Sequence, residues 1–368
     1  MEGVESNCNN IANMICQLPS DMSKSDSTKP TEQSVPNITY HLPLDTIIQK
    51  ALKDPKVWSM FCDDKISLDH FKWRIHDFCY IEIKRGEEVV KLHARNKNLF
   101  KQPTKKLKPK LEMTKIKFRQ AISYEGAAQL EIKNDKKTTH ASNMKLLECL
   151  TNRLAPLFHV NNFELDFKPV SNNVTLVDCF IFNVTKKFKT INFSRARFTS
   201  NVKFLEEYKF LQNEVIVENL TLNFPDVGNL PCQYPLKQKN VIINNSNFID
   251  RKCIISMECE YLTIARDFFS NTDLTDILFA WIEGKMRNMK RISVVAYKND
   301  IGFDALSNIT FVNSTSEPPE EYSKGEELMK WKTIAVDIKN CNDQIGTVMF
   351  GYKKFIFYTN LQRMLPIF

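Results

Sequence analysis

The sequence predicts an α/β protein: a small helical module near the N-terminus, then an irregular succession of strands and helices. Three observations carry this reading. The chain has 368 residues, 43% of them apolar, which suffices for a sizeable core and excludes wholesale disorder. Leu44, Ile47, Ile48, Ala51 and Leu52 recur at i, i+3, i+4, i+7 and i+8, one face of a helix. Strand-like cores centre on Leu165, Ile191, Leu220, Ile242, Leu262 and Ile292, at spacings of 26, 29, 22, 20 and 30 residues. That is close to the period of a unit built from one strand and one helix or loop.

Residues 1–38 are rich in Ser, Asn, Thr, Asp and Lys and hold no core-forming pattern, so they read as a disordered tail. Order is expected from Leu42. The helix carrying Leu44–Leu52 should end at Asp54–Pro55, because the residue before proline avoids the α region. Val57, Trp58 and Phe61 suggest a second helix, and Leu68, Phe71, Ile75 and Phe78 a third. A hairpin follows, Cys79–Lys84 and Val89–His93 about Gly86. Lys115–Ile122 and Leu130–Ile132 read as further strands.

Met144, Leu147 and Leu150–Leu154 outline a helix ahead of the repeating strands. The segment Val241–Phe248 approaches a leucine-rich-repeat pattern, with asparagines placed to satisfy strand-end backbone groups. An ordinary α/β sheet of similar spacing is the alternative. Asp273–Asn288 is the clearest helix, with an apolar stripe of Leu274, Ile277, Leu278, Trp281 and Ile282 and a cap at Thr272 or Asn271. Strand Arg291–Tyr297 comes next. The chain closes on strands Trp331–Ile338 and Gly346–Tyr358 about a turn at Asn340–Asp343. The expected organisation is a tail (1–38), a helical segment (39–80), strands with a basic linker (81–141) and a repeat-like α/β domain (142–358).

Lys+Arg number 51 against 43 Asp+Glu, a net charge of +8, moderate for a nucleic-acid binder. Residues 101–119 carry seven lysines and Arg119 against Glu112 alone, yet Phe118 is their only aromatic, so a stacking platform is missing. A solvated linker is expected there, with an acidic or nucleic-acid partner as the alternative. The ten cysteines form no paired motif and read as buried free thiols. Eight Asn-x-Ser/Thr triplets reflect an Asn/Thr-rich composition. The longest strongly apolar run, Ile277–Ile282, is far short of a bilayer span, and no signal peptide is evident, so a cytoplasmic or nuclear location is expected.

Catalytic motifs are missing: there is no His-Glu-x-x-His, Gly-x-Ser-x-Gly, P-loop or dinucleotide-binding glycine pattern. His70 with His76, and Cys253 with Cys259, are each six apart, a spacing that suits neither a zinc site nor one helix face. Glu206–Glu207 and Glu320–Glu321 are expected on solvated faces. No catalytic, cofactor or metal residue is assigned.

The run Glu258-Cys-Glu-Tyr-Leu-Thr-Ile264, then Asn271-Thr-Asp-Leu-Thr-Asp-Ile-Leu-Phe-Ala-Trp-Ile-Glu-Gly284, then Met289-Lys-Arg-Ile-Ser-Val294 resembles the F-box-associated (type 2) domain of nematode F-box proteins. The residues that carry the motif are Leu274, Leu278, Trp281, Ile282 and Gly284. Val336-Asp-Ile-Lys339 with Ile345-Gly-Thr-Val-Met349 is similar to that family's closing hairpin. The family places an F-box ahead of this domain. Leu42 and Pro43 match its opening, and Leu44, Ile47, Ile48 and Leu52 its first helix. Pro55, Val57 and Trp58 fit the second helix only roughly, and Lys72-Trp73-Arg74 replaces the usual third.

The resemblance implies a substrate-recognition subunit of an SCF-type ubiquitin ligase. In that reading Leu42, Pro43, Leu44, Ile47, Ile48 and Leu52 meet a Skp-type adaptor and, through it, a cullin, while the C-terminal domain binds a target protein. No enzymatic activity, cofactor, membrane or nucleic acid is implied. A stand-alone interaction module without adaptor binding is the alternative.

Overall fold

The computed structural model describes residues 42–76, 79–95, 117–122, 128–133, 140–169, 174–195, 201–224, 235–245, 249–267, 269–298, 300–314, 334–351 and 353–359. The tail expected at 1–38, most of the basic segment 101–119 and the Glu320–Glu321 pair lie outside them.

Helix α1 (Leu44–Lys53) forms where expected, and Asp54 both ends it and caps α2 (Pro55–Asp63) by accepting from Lys56 N at 2.9 Å. Proline at the first position of α2 loses no hydrogen bond. The third expected helix is instead strand β1 (Ile66–Ile75). Its buried residues are Ile66, Leu68, Phe71, Trp73 and Ile75, an alternation interrupted once at Asp69–His70. That interruption mimics helical spacing in sequence, but β1 pairs with β6 from Ile66 to Ile75 and with β2 from His70 to Arg74.

The hairpin of β2 (Cys79–Arg85) and β3 (Glu88–Arg95) turns at Gly86, whose φ of +57° suits glycine. Strands β4 (Lys117–Ile122) and β5 (Ala128–Lys133) follow, then α3 (His140–Leu154). A regular series comes next: β6 (Phe158–Phe167), α4 (Ile181–Val184), β7 (Lys187–Ser194), α5 (Asn201–Asn213) and β8 (Ile216–Asn223). It continues with β9 (Asn240–Asn244), α6 (Arg251–Ser256), β10 (Tyr261–Arg266), α7 (Asn271–Ile282) and β11 (Arg291–Ala296). The last strands are β12 (Val312–Asn313), β13 (Ile334–Lys339), β14 (Ile345–Gly351) and β15 (Lys354–Thr359).

Two boundaries differ from expectation. Helix α7 ends six residues early, because Gly284 adopts φ +77° and closes its C-terminus. Its cap is Ser270, in a reciprocal capping box with Asp273. The single strand expected over Gly346–Tyr358 is two, folded back at Lys353 (φ +54°). Both halves are apolar and buried on both faces, so no alternation marks the turn.

Among the described residues, fifteen strands form one mixed sheet in the order β12-β13-β14-β15-β11-β10-β9-β8-β7-β6-β1-β2-β3-β5-β4. Its centre is a run of seven parallel strands, β1, β6, β7, β8, β9, β10 and β11. From β6 to β11 each strand sits beside its predecessor, always on the same side. Right-handed crossovers in one direction put every intervening helix on one face of the sheet.

On that face a continuous row crosses the strands: Trp73, Leu165, Ile191, Leu220, Val241, Leu262, Ile292 and Phe357, all buried. A parallel row runs through Ile75, Phe167, Phe193, Leu222, Ile243, Ile264, Val294 and Phe355. The expected centre of β9, Ile242, is one residue off. Val241 fills the inward row, and Ile242 points the other way and is 41% exposed.

Candidate functional site

The face of the sheet away from the helices is built from the alternate residues of the same strands, and its chemistry changes in three zones. Over β3, β2, β1 and β6 it is charged and balanced. Lys72 Nζ lies 3.3 Å from Glu164, Arg74 Nε 3.4 Å from Asp166 and Lys91 Nζ 3.4 Å from Glu82. His70 Nε2 meets Glu82 Oε1 at 3.2 Å, and His76 Nε2 meets Asp166 Oδ1 at 2.8 Å. The His70 hydrogen bond, helped by the charge of Lys91, outweighs burial and holds the Glu82 carboxyl below its usual range. Burial opposes ionisation of Asp166 more than any single partner favours it. The hydrogen bond and charge of His76, with Arg74 and Lys72, together still hold it low.

The middle zone, over β7, β8, β9 and β10, is neutral. Thr190, Asn192, Asn219, Thr221, Asn240 and Thr263 share the two outward rows with Tyr261 and with Ile242, which is 41% exposed. Side chains bridge the strands: Asn240 Nδ2 donates to Asn219 Oδ1, and Asn219 Nδ2 to Lys189 O at 3.1 Å. Asn245, left-handed at φ +56°, donates to Asn223 Oδ1 at 3.2 Å, a rung like those expected of the asparagines in Val241–Phe248. In the third zone Met349, Ile356 and Tyr358 form a small buried apolar cluster separate from the main core.

The expected adaptor-binding residues sit elsewhere. Leu44, Ile47, Ile48 and Leu52 are 0–3% exposed and belong to the main core. Leu42 is partly buried and its carbonyl accepts from Arg85 at 2.7 Å, while Leu44 N donates to Glu88 Oε1 at 3.2 Å. Pro43 precedes α1 and is exposed. The resemblance motif also serves packing: Leu274, Leu278 and Trp281 are buried, Ile282 is half-buried, and a Cβ on Gly284 would lie 3.0 Å from Cys341 Sγ.

No family model, curated protein or solved structure matches this chain.

His70 and His76 face different carboxylates, Cys253 and Cys259 are buried, and no group of three His, Cys, Asp or Glu among the described residues is placed to hold a metal ion. Burial pushes the Cys179 and Cys259 thiols up to about 12, so they pack as small apolar groups. Cys79 is buried too, Cys62 and Cys149 are half-buried, and Cys341 is exposed. No helix among the described residues is long and apolar enough to cross a membrane.

Glu207 corrects the expectation of a solvated carboxylate pair. It is 2% exposed, accepts from Leu176 N at 3.0 Å, and pairs with the buried Arg195, which also donates to Val174 O at 2.8 Å. Burial pushes its carboxyl up, and the Leu176 amide and Arg195 oppose the rise. The cluster ties α5 to the loop after β6, a packing role. Sequence spacing cannot separate Glu207 from the exposed Glu206, because adjacent helical positions differ by about 100° in direction.

Proposed function

We propose that this chain is a recognition subunit, a leucine-rich-repeat-like solenoid that docks a target protein on the helix-free face of its seven-strand parallel sheet. One observation carries the reading: all the crossovers run one way, so the helices bury one face and leave an ordered polar face on the other. The neutral centre flanked by balanced charge suits protein recognition, where hydrogen bonds and complementary charge set register and specificity. In the setting that the sequence resemblance implies, the chain is the substrate receptor of an SCF-type ubiquitin ligase.

A second reading, the stand-alone interaction module, draws support from α1. Its apolar stripe is spent on the core, so a Skp-type adaptor would meet residues such as Met60, which is 46% exposed on α2. Affinity purification of the tagged full chain with mass spectrometry separates the readings. Recovery of adaptor and cullin, lost in Met60→Glu, supports the ligase receptor. Recovery of a target without either supports the stand-alone module.

A further inference from the structure

At the N-terminal ends of β9, β10 and β11 a groove of about 500 Å³ opens between Lys237, Lys239, Glu258, Glu260, Arg287 and Lys290. Arg287 and Gln344 also line a smaller cavity of about 190 Å³, floored by Trp281 and Met286 and walled by Asn340 and Asn342. The two spaces thus adjoin, with Arg287 and Gln344 lining both. They lie at the end of the sheet by the α7 C-terminus, apart from the face assigned to the target.

The charges do not cancel. Lys237 pairs with Glu258 at 3.6 Å and Lys290 with Glu260 at 2.7 Å. Among the described residues Lys239 has only Glu218, at 3.8 Å, and that carboxylate already holds Lys189 at 2.6 Å. Arg287 is exposed, reaches Gly284 O at 3.4 Å, and has no carboxylate within ion-pair distance among the described residues. The negative end of α7 does not oppose an anion strongly, because its final carbonyls are occupied by the amides of Glu283, Gly284, Lys285 and Cys341.

The wall is also pre-formed. Asn340 Oδ1 accepts from the amides of Asn342 and Gln344, both at 2.9 Å, and Asn340 Nδ2 donates to Gln344 Oε1 at 2.9 Å. Gln344 keeps its NH2 group to donate. A planar guanidinium between a mixed-charge groove and a small cavity with an apolar floor matches a carboxylate with an adjoining side chain.

We propose that this groove binds an acidic peptide segment in extended form, with one carboxylate on Arg287 and a neighbouring small side chain in the Trp281–Met286 cavity. Glu258 and Glu260 can accept the peptide's backbone N–H groups. The same two carboxylates would repel a phosphate chain, which offers acceptors alone, and Trp281 is too buried to stack a base.

The test uses the full chain and three fluorescein-labelled probes: a five-repeat Glu-Ala peptide, its Gln-Ala counterpart and a ten-residue uridine oligonucleotide. Fluorescence anisotropy should show saturable binding of the Glu-Ala peptide, weakened at least about tenfold by Arg287→Glu and by replacement with Gln-Ala. Arg287→Lys should fall between, since charge remains and the fork is lost. Unchanged thermal melting of both variants shows that the fold is intact. No saturable binding by the wild type, equal binding of the two peptides, an unaffected Arg287→Glu, or preference for the oligonucleotide would each overturn the proposal.

Discussion

The indole Nε1 of Trp73 donates to Oγ1 of Thr151 at 2.9 Å, and neither residue is open to solvent. The bond ties the centre of β1 to α3, 78 residues away in sequence. It joins the N-terminal segment to the same core as the repeating strands. Trp73 also stacks on Phe163 at 5.5 Å and lies 4.7 Å from Phe71 and 6.4 Å from Phe188, so the ring anchors aromatic packing across β1, β6 and β7.

Trp73→Ala is expected to cost about 3–5 kcal/mol through the cavity it leaves. Trp73→Phe leaves the Thr151 hydroxyl buried and unpaired, costing about 1–3 kcal/mol, and Thr151→Val in that background should recover part of the loss. Chemical denaturation of wild type, Trp73→Phe, Thr151→Val and the double variant measures the coupling. Additive effects would mean that the hydrogen bond contributes nothing to stability.

Trp281 and Phe357 pack edge to face with ring centroids 4.9 Å apart, and Gly346 backs both. A Cβ at Gly346 would come within 2.5 Å of the Phe357 ring and 2.9 Å of Trp281. Trp281→Ala should destabilise by about 3–5 kcal/mol, and Gly346→Ala by about 1–3 kcal/mol through overpacking. A wild-type melting temperature for either variant would show that this junction does not hold the sheet to α7.

Stability should fall in acid through Glu82 and Asp166. Both carboxyls are held below their usual range in the folded state. Their contribution is therefore present above the unfolded value, about 4, and is lost as pH falls through the lower folded values. The double variant Glu82→Gln, Asp166→Asn should lose less melting temperature between pH 7 and pH 3 than the wild type. An equal loss would place the acid-sensitive groups elsewhere.

Helix α1 supplies a different contrast. Ile48→Lys buries an unpaired charge in the core and should abolish cooperative unfolding. Met60→Glu changes an exposed position and should leave stability within about 0.5 kcal/mol of wild type. Circular dichroism melts distinguish the two directly. A stable Ile48→Lys protein would mean that the stripe of α1 is not core.

How far the sequence was readable depends on what each element's pattern reports. Leu44–Leu52 and Leu274–Trp281 were legible because their apolar period is helical and the same face is buried in the fold. The strand spacing from Leu165 to Ile292 was legible because each crossover adds one strand to a growing parallel run. β1 was not, because its alternation slips at Asp69–His70 and then resembles a helical stripe. The register of β9 was not, because Val241, Ile242 and Ile243 are all apolar and only pairing with Leu220 and Leu262 selects the inward pair. The outward rows were invisible for the same reason. Asn219 and Asn240 become neighbours only through strand pairing, and no local motif marks them.

The proposed docking of a target on the helix-free face is tested most directly by a variant of that face. Thr221→Arg with Thr263→Arg places two cations in the neutral zone at half-exposed positions on β8 and β10, with the inward core and the asparagine bridges untouched. Quantitative affinity purification of wild type and variant should show the recovered target lost from the variant, while its melting temperature and any adaptor recovery stay unchanged. Retention of the same target by the variant at wild-type yield would contradict the claim and move recognition off this face.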